Sequence, residues 1–466
     1  MNPESKSERE LVAVSTRRSF FGASVAAAVP AGAAVVQKPL KPTVSARSAA
    51  RVVGANDRIN TGHIGVGGMG YGHLRDFVRQ GEAQKDIQVV AICDIYKRRK
   101  ERARDTAKLS DKDVHHDYHD LLARNDVDVV VVATPDHTHG QIALDVVASG
   151  RDIYLQKPMT HTIEEARAVT EAVKKNGRIL QIGSQTVSDP RVEVARQLIQ
   201  GGEIGELLWA TSSSSRNSIV GEWNYYVDAE ATAETIDWNR WLGTAPKRPF
   251  SAERYFRWRK YWDYSGGIAT DLYFHRMGPM LCPIGPQFPV SVMATGGIYV
   301  FKDREVPDTY ATTIEYPTFY VDLSGSMANG AGVKYFTTAY YGHKGTVVFE
   351  NRRVLLVPER LEPRSSETAA RPPDNSKAFD VPMVANLHRK HTDNFFASVR
   401  SRKPPINNED FGFRSLVAVR LGVESFRQGK VMFFDPKTQQ VVDKPPRRMT
   451  YEGDGKNHED GYRQRV

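Results

Sequence analysis

Three groups of residues in this 466-residue chain have types and spacing that can do chemistry. The first is Gly65-Val66-Gly67-Gly68-Met69-Gly70, which matches G-x-G-x-x-G, with Asp94 one strand later. Glycines so spaced suit a tight turn, close approach of a pyrophosphate and close packing of a helix on a strand, and Asp94 is placed to accept hydrogen bonds from ribose hydroxyls. That carboxylate would repel a 2′-phosphate, so NAD is expected rather than NADP. Arg98 and Arg99, just beyond, read as a solvated helix face, with phosphate binding as the alternative. The second group is Lys157, at a polar strand end before Pro158, and the third is Asp271 with His275, four residues apart and therefore on one face of a helix. Oxidising a secondary alcohol to a ketone removes a hydride and a proton, so it needs a nicotinamide and a base. A lysine serves as that base if desolvation and the cationic nicotinamide lower its pKa, and histidine changes charge near neutrality.

Such groups need a scaffold, and the hydrophobic pattern supplies one. Strands are expected at 60–66, 87–94, 127–133, 152–155 and 179–182, with helices from 72, at 117–124, at 140–149 and at 163–175. Alternation at this spacing means an α/β fold with a parallel, doubly wound sheet, in which ligands lie beyond the carboxyl ends of the strands. Those ends are Thr134-Pro135-Asp136-His137-Thr138-His139, Gln156-Lys157-Pro158 and Gly183-Ser184-Gln185. Beyond Gly183 the rhythm changes to long β segments at 207–213, 290–301, 309–316, 320–327, 334–341 and 345–349, followed by amphipathic helices at 385–400 and 410–428. The expected divisions are a leader and linker at 1–56, a nucleotide domain at 57–182, a second domain at 183–435 and a polar tail at 436–466.

Charge and composition exclude several classes. The net charge is +9, but residues 1–56 carry eight Lys or Arg against three Asp or Glu, so the remainder is close to balance and offers no footprint for nucleic acid. Two cysteines, Cys93 and Cys282, cannot build a disulfide framework. His115-His116-His119 and His388-His391-Asp393 read as solvated helix faces, and no metal centre is expected. In the leader, Ser15-Thr16-Arg17-Arg18-Ser19-Phe20-Phe21 precedes a small, weakly apolar run from Gly22 to Val36, and Val44-Ser45-Ala46 has a cleavage-site pattern; this resembles a twin-arginine export signal. The expectation is a periplasmic or otherwise exported protein handled by the twin-arginine machinery, with no stable membrane insertion.

Ala133-Thr134-Pro135 with His139, followed by Lys157-Pro158, is similar to the nucleotide-domain signature of the glucose-fructose oxidoreductase and inositol dehydrogenase (Gfo/Idh/MocA) family. The resemblance continues through Gly205-Glu206, Trp241-Leu242-Gly243, Gly266-Gly267 with Asp271 and His275, Asn394-Phe395-Phe396 and Lys403-Pro404-Pro405. Members usually carry Glu-Lys-Pro, whereas this chain has Gln156 before Lys157, and Tyr273 stands where many have glycine. The resemblance implies a Rossmann domain followed by an α+β domain with an open, mostly antiparallel sheet whose free face pairs subunits into a homodimer or homotetramer. It implies a sugar or glycoside substrate and a catalytic set of Lys157, Asp271 and His275, with His275 as acid or base and Asp271 orienting the substrate. Cofactor contacts are expected from Gly65, Gly67, Gly68, Met69, Gly70, Asp94, Thr134, Pro135, His139, Gln156, Lys157 and Gln185. The segment from Arg254 to Tyr264 mixes aromatic and cationic residues suited to sugars; Arg257, Tyr261 and Trp262, with Arg216, join Asp271 and His275 as substrate candidates.

An exported enzyme meets no NAD pool to reoxidise its cofactor. The expectation is therefore tightly bound, self-recycled NAD and glycoside cleavage by oxidation, elimination, hydration and re-reduction. A conventional sugar or inositol dehydrogenase, a glucose-fructose-type oxidoreductase, and a non-catalytic sugar-binding protein on the same fold are the alternatives.

Overall fold

The computed structural model describes residues 41, 58–332, 337–359 and 375–444, together with the backbone of 449–451 and 457–459. The leader with Arg17-Arg18 lies outside the described residues, as do 334–336 of one expected strand and much of the tail. Among the described residues no helix is long and apolar enough to cross a membrane.

The nucleotide half alternates as its pattern requires: β1 (Ile59–Ile64), α1 (Gly68–Gln84), β2 (Ile87–Cys93), α2 (Lys97–Ala107), β3 (Val114–His115), α3 (Tyr118–Ala123), β4 (Val129–Val132), α4 (Asp136–Ala148), β5 (Asp152–Gln156), α5 (Ile163–Asn176) and β6 (Leu180–Gly183). The strands pair in parallel in the order β3-β2-β1-β4-β5-β6. The reversal of strand order beside β1 opens the crevice in which such sheets bind ligands. Strand β4 is four valines, all buried, because helices cover both faces of a parallel sheet. Helix α5 opens on a capping box between Thr162 and Glu165 and closes on Gly177. Helix α4 begins at Asp136, four residues before the expected start, so His137 and His139 lie in its first turns rather than in a loop.

The second half opens with α6 (Pro190–Gln200) and β7 (Leu207–Ser213) and continues through α7 (Trp238–Leu242), α8 (Ala252–Phe256), a π-helical turn at Ala269–Tyr273 and α9 (Phe274–Ile284). Strands β8 (Ser291–Gly297), β9 (Thr309–Glu315), β10 (Tyr320–Ser326), β11 (Ala339–Gly342), β12 (Gly345–Phe349), β13 (Arg353–Pro358) and β14 (Lys377–Asp380) follow. After α10 (Leu387–Ser401) and α11 (Glu409–Gln428) come β15 (Met432–Asp435), β16 (Gln440–Val442) and a hairpin of β17 (Met449–Tyr451) and β18 (Asn457–Glu459). Ten of these strands form one sheet, antiparallel except where β7 meets β10. Its inner face carries Val292, Ile314, Val321, Leu323, Tyr340 and Val347 into the core with α9 and α11.

Helix α10 returns to the nucleotide domain, where Phe395 and Phe396 pack with Phe77 and Tyr154; each buried ring contributes about 1.5–3 kcal/mol. His391 corrects the expectation of a solvated face. It is fully buried, with Ser188 Oγ 2.9 Å from Nδ1 and the Ile182 carbonyl oxygen 2.9 Å from Nε2. It ties α10 to the end of β6.

Candidate active site

A cavity of about 700 Å³ opens at the carboxyl ends of β1, β2, β4 and β5, and it is closed on the far side by second-half residues. At one end lie Gly65, Gly67, Gly68 and Met69, with Asp94, Thr134 and Pro135. Gly65 has φ +82°, and a Cβ there would meet the Ala133 carbonyl oxygen at 2.8 Å; a Cβ on Gly70 would lie 1.9 Å from the Gly65 carbonyl oxygen. Gly70 therefore packs α1 against the turn and does not line the cavity. A Cβ on Gly68 meets nothing within 4 Å, so that position is kept open toward the cavity. Asp94 holds the turn in place by accepting from the Val66 and Tyr96 amides, both at 2.9 Å.

Of two neighbouring arginines, Arg98 keeps its expected exposure, whereas Arg99 is drawn into the site. The Arg98 guanidinium binds Asp228 at 2.7 Å. Arg99 lines the cavity, donates to the Tyr255 hydroxyl at 2.8 Å and lies 4.8 Å from that ring's centroid. It is a site residue that the sequence reading set aside.

The other end is built from charges. Lys157 Nζ donates to Asp271 Oδ1 at 2.6 Å and to the Asp271 carbonyl oxygen at 2.9 Å. Arg259 Nε reaches the same Oδ1 at 2.9 Å, and Trp223 Nε1 reaches Oδ2 at 3.2 Å. Burial raises the Asp271 pKa, but the Lys157 ammonium and the Arg259 guanidinium outweigh it and hold the carboxyl well below the usual range. His275 lines the cavity one turn on; burial and the neighbouring Lys157 ammonium push its pKa well below the usual value, so it is uncharged at neutral pH. Its Nδ1 is buried without a hydrogen bond among the described residues. Lys157, Asp271 and His275, read from distant parts of the chain, thus meet in one cavity.

Sequence reasoning missed three of the residues here. Arg259 and Trp223 carry no motif. Asp136, at the start of α4, is buried in the cavity wall, and burial pushes its carboxyl up to about 7 against the opposing charges of Arg259 and Lys157. It was visible in Thr134-Pro135-Asp136 as the carboxylate of a polar strand end, but nothing local showed that it is dry.

Other candidates stand elsewhere. His139 is fully buried, its ring nitrogens 2.8 Å from the Thr134 and Pro158 carbonyl oxygens, so it links the loops after β4 and β5 without facing the cavity. Gln185 donates to the Tyr154 hydroxyl beneath the site. Gln156 does line the cavity, its Nε2 2.5 Å from His73 Nε2. The aromatic segment divides. Tyr255, Phe256, Trp258 and Arg259 face the cavity, whereas Arg257 donates to the Tyr225 carbonyl and pairs with Glu253, Tyr261 lies under Arg254, and Trp262 packs on Phe426. Arg216 reaches the cavity. Among the described residues no group of three or more His, Cys, Asp or Glu could hold a metal ion.

Comparison with known proteins adds a decisive match. Residues 59–184 fit the family model described as an oxidoreductase family with an NAD-binding Rossmann fold, and residues 196–433 fit its C-terminal alpha/beta domain. The chain belongs to the Gfo/Idh/MocA oxidoreductase family. Inositol 2-dehydrogenase of Salmonella typhimurium is 32% identical over 189 residues, 40% of this chain and 54% of that protein. The NAD-dependent scyllo-inositol 2-dehydrogenase of Bacillus subtilis is 31% identical over 146 residues, 31% of this chain and 41% of that protein. The match thus spans about half the length of these curated relatives. Among solved structures, levoglucosan dehydrogenase in complex with NADH superposes with a TM-score of 0.61 at 18% identity, over 80% of this chain and 98% of that one. An oxidoreductase domain protein from Kribbella flavida gives 0.62 at 17%, over 83% and 100%. These two show the shared fold of this Gfo/Idh/MocA chain, whose Rossmann domain is an NAD-binding one.

Proposed function

We propose that this Gfo/Idh/MocA chain is an NAD-dependent dehydrogenase that oxidises a secondary alcohol of a sugar or inositol-like polyol. The observation that carries the reading is the Lys157–Asp271 pair, 2.6 Å apart, in the same cavity as the glycine turn. The nucleotide end fits the cofactor: Gly68 leaves an open surface, the first-turn amides of α1 have no intrahelical acceptors and suit a pyrophosphate, and Asp94 stands at the end of β2. When bound there, NAD supplies the acceptor for the substrate's hydride.

The chain's own residues handle the proton and the geometry. Lys157 has three N–H donors and spends two on Asp271, which leaves one for a substrate oxygen. Asp271 is fixed as an anion, and its Oδ2, bonded among the described residues only to Trp223, keeps capacity to accept from a substrate hydroxyl. The uncharged His275 is in the state that accepts a proton. The inositol dehydrogenases among the relatives favour this conventional reaction over the self-recycling glycoside cleavage expected from the leader. One assay separates them: NAD and NADP are measured in supernatant from the denatured protein, and polyols and aryl glycosides are screened with added NAD. NADH formed from a free polyol supports the reading, and aglycone release without net NADH overturns it.

Two further parts of the reading rest on surface and leader. On the outer face of the large sheet Trp209 stacks between Tyr341, at 4.4 Å, and Tyr320, at 6.3 Å, which supports a second copy of this chain as its cover. Light scattering of Trp209→Arg tests that assembly, with a fall in mass expected. Arg17-Arg18 supports twin-arginine export, tested by fractionating cells that express the double variant Arg17→Lys with Arg18→Lys beside wild type; retention of the variant in the cytoplasm is expected.

A further inference from the structure

The reactive end of the cavity holds more positive than negative charge. Lys157 and Arg259 converge on a single carboxylate, Asp271. Asp136, the other carboxyl in that wall, is only partly ionised at neutral pH because burial pushes it up to about 7. Beyond them Arg216 also lines the cavity, and its nearest carboxylate, Glu222, is 3.8 Å away, outside hydrogen-bonding distance. Its side chain is half exposed while its backbone is anchored, the Arg216 amide donating to the Ser326 carbonyl at 2.8 Å. Arg276, next to His275, makes no ion pair among the described residues, and burial, with Arg191 and Arg216 nearby, pushes its guanidinium down. Tyr225 lines the cavity in the fields of both Arg259 and Arg216, and the exposed Tyr226 beside it adds an aromatic rim.

A neutral sugar would leave Arg216 with only its 3.8 Å ion pair to Glu222, whereas an anion would meet a guanidinium fork that makes no side-chain hydrogen bond among the described residues. We infer that the substrate is an anionic sugar, carrying a carboxylate or a sulfate or phosphate ester that Arg216 binds at the rim while Lys157 and Asp271 address the reacting carbon. This rests on the dehydrogenase reading proposed above. A carboxylate is bound in a planar, two-bond fork and a sulfate or phosphate ester at a tetrahedral head, so the two sources differ in what a lysine can replace.

The test uses the full chain with added NAD and compares matched probes: glucose with glucuronate, glucose 6-sulfate and glucose 6-phosphate, and galactose with galacturonate. The kcat/KM values are measured for wild type, Arg216→Gln and Arg216→Lys, at low and high salt. At least one anionic probe is expected to exceed its neutral partner by about tenfold or more, as a charge-assisted hydrogen bond to a guanidinium produces. Arg216→Gln and high salt then lower that ratio. Partial rescue by lysine assigns the ester, and no rescue the carboxylate. Where turnover is too slow to read, thermal unfolding replaces it: a rise in Tm with an anionic probe, absent in Arg216→Gln, supports the inference. Neutral sugars used as well as their anionic partners, or a ratio unmoved by Arg216→Gln, overturn it and leave the dehydrogenase reading intact. NADH from no probe, with no probe binding, overturns that reading itself.

Discussion

The nucleotide end of the cavity is walled largely by backbone, and the reactive end by side chains. At the first, one contiguous turn from Gly65 to Gly70 exposes amides, and specificity comes from where a Cβ is absent. At the second, Lys157 from just beyond β5, Trp223 from a loop, Arg259 from a 3-10 turn, and Asp271 and His275 from the helical run ending in α9 converge on a few ångströms. A binding surface made of backbone tolerates side-chain change around it and fails when a methyl is added. A cluster of charges fails when any one member is removed, because the remainder is left buried and unpaired.

The largest expected effect therefore falls at the reactive end. Lys157→Met and Asp271→Asn should each lower kcat by about 10²–10⁴-fold, the usual worth of a positioned acid–base group, with NAD affinity measured by calorimetry nearly unchanged. A parallel loss of NAD affinity would break the comparison, since it would mean that the two ends are one unit. The nucleotide end should respond in the opposite sense, and two glycines sharpen the contrast. Gly70→Ala drives a Cβ to 1.9 Å from the Gly65 carbonyl oxygen and should cost about 1–3 kcal/mol of stability in thermal unfolding. Gly68→Ala meets no protein atom within 4 Å, so its stability should hold while NAD affinity falls.

What could be read beforehand follows the same division. The glycine turn, Asp94 and the alternating strands were legible because each signal is local: a spacing, a period, a run of valines. Lys157, Asp271 and His275 were singled out by type and spacing and given catalytic roles through resemblance, and their meeting is a matter of tertiary geometry. Asp136, Arg259, Trp223 and Arg99 were missed because burial and partner decide their roles, and neither is written in neighbouring residues. Arg257, Tyr261 and Trp262 show the converse. They sit in the right segment, but the chain turns between Phe256 and Trp258 and points Arg257 away, while Lys260 is drawn inward to Glu253 and Asp303.

Asp136 and Asp271 give the comparison a pH signature within the reactive end itself. Asp136 binds its proton up to about pH 7 in the folded chain, whereas an unfolded chain releases it near the ordinary Asp value of 3.8. Between those limits the folded state holds the extra proton, so this carboxyl costs stability as the pH rises through the window. Asp271, held below its ordinary value, acts the other way: the stability it contributes is present at neutral pH and is lost on acidification. Asp136→Asn should therefore gain stability relative to wild type between about pH 5 and pH 8, by about 1–3 kcal/mol, and should remove an inflection near neutrality from the kcat/KM profile. A stability difference that does not change with pH would place Asp136 in contact with water.

The smallest effect expected comes from the backbone on which the two ends differ most plainly. Each uses a residue in the left-handed region: Gly65 at φ +82° in the turn, and Trp223 at φ +68° beneath Asp271. Glycine adopts that conformation freely, whereas a bulky side chain there costs on the order of 1–3 kcal/mol and persists only where its surroundings over-determine it. Trp223 is 2% exposed, and its indole N–H is the only side-chain donor the structure places on Asp271 Oδ2 among the described residues. Trp223→Phe keeps an aromatic ring in the core and removes that donor. A neutral hydrogen bond contributes about 0.5–1.5 kcal/mol, so kcat should fall roughly two- to tenfold with KM little changed, as Asp271 loses one of the contacts that fix its plane. A fall confined to thermal stability, with kcat preserved, would show that Lys157 and Arg259 alone orient Asp271 and that the strained tryptophan only fills the core.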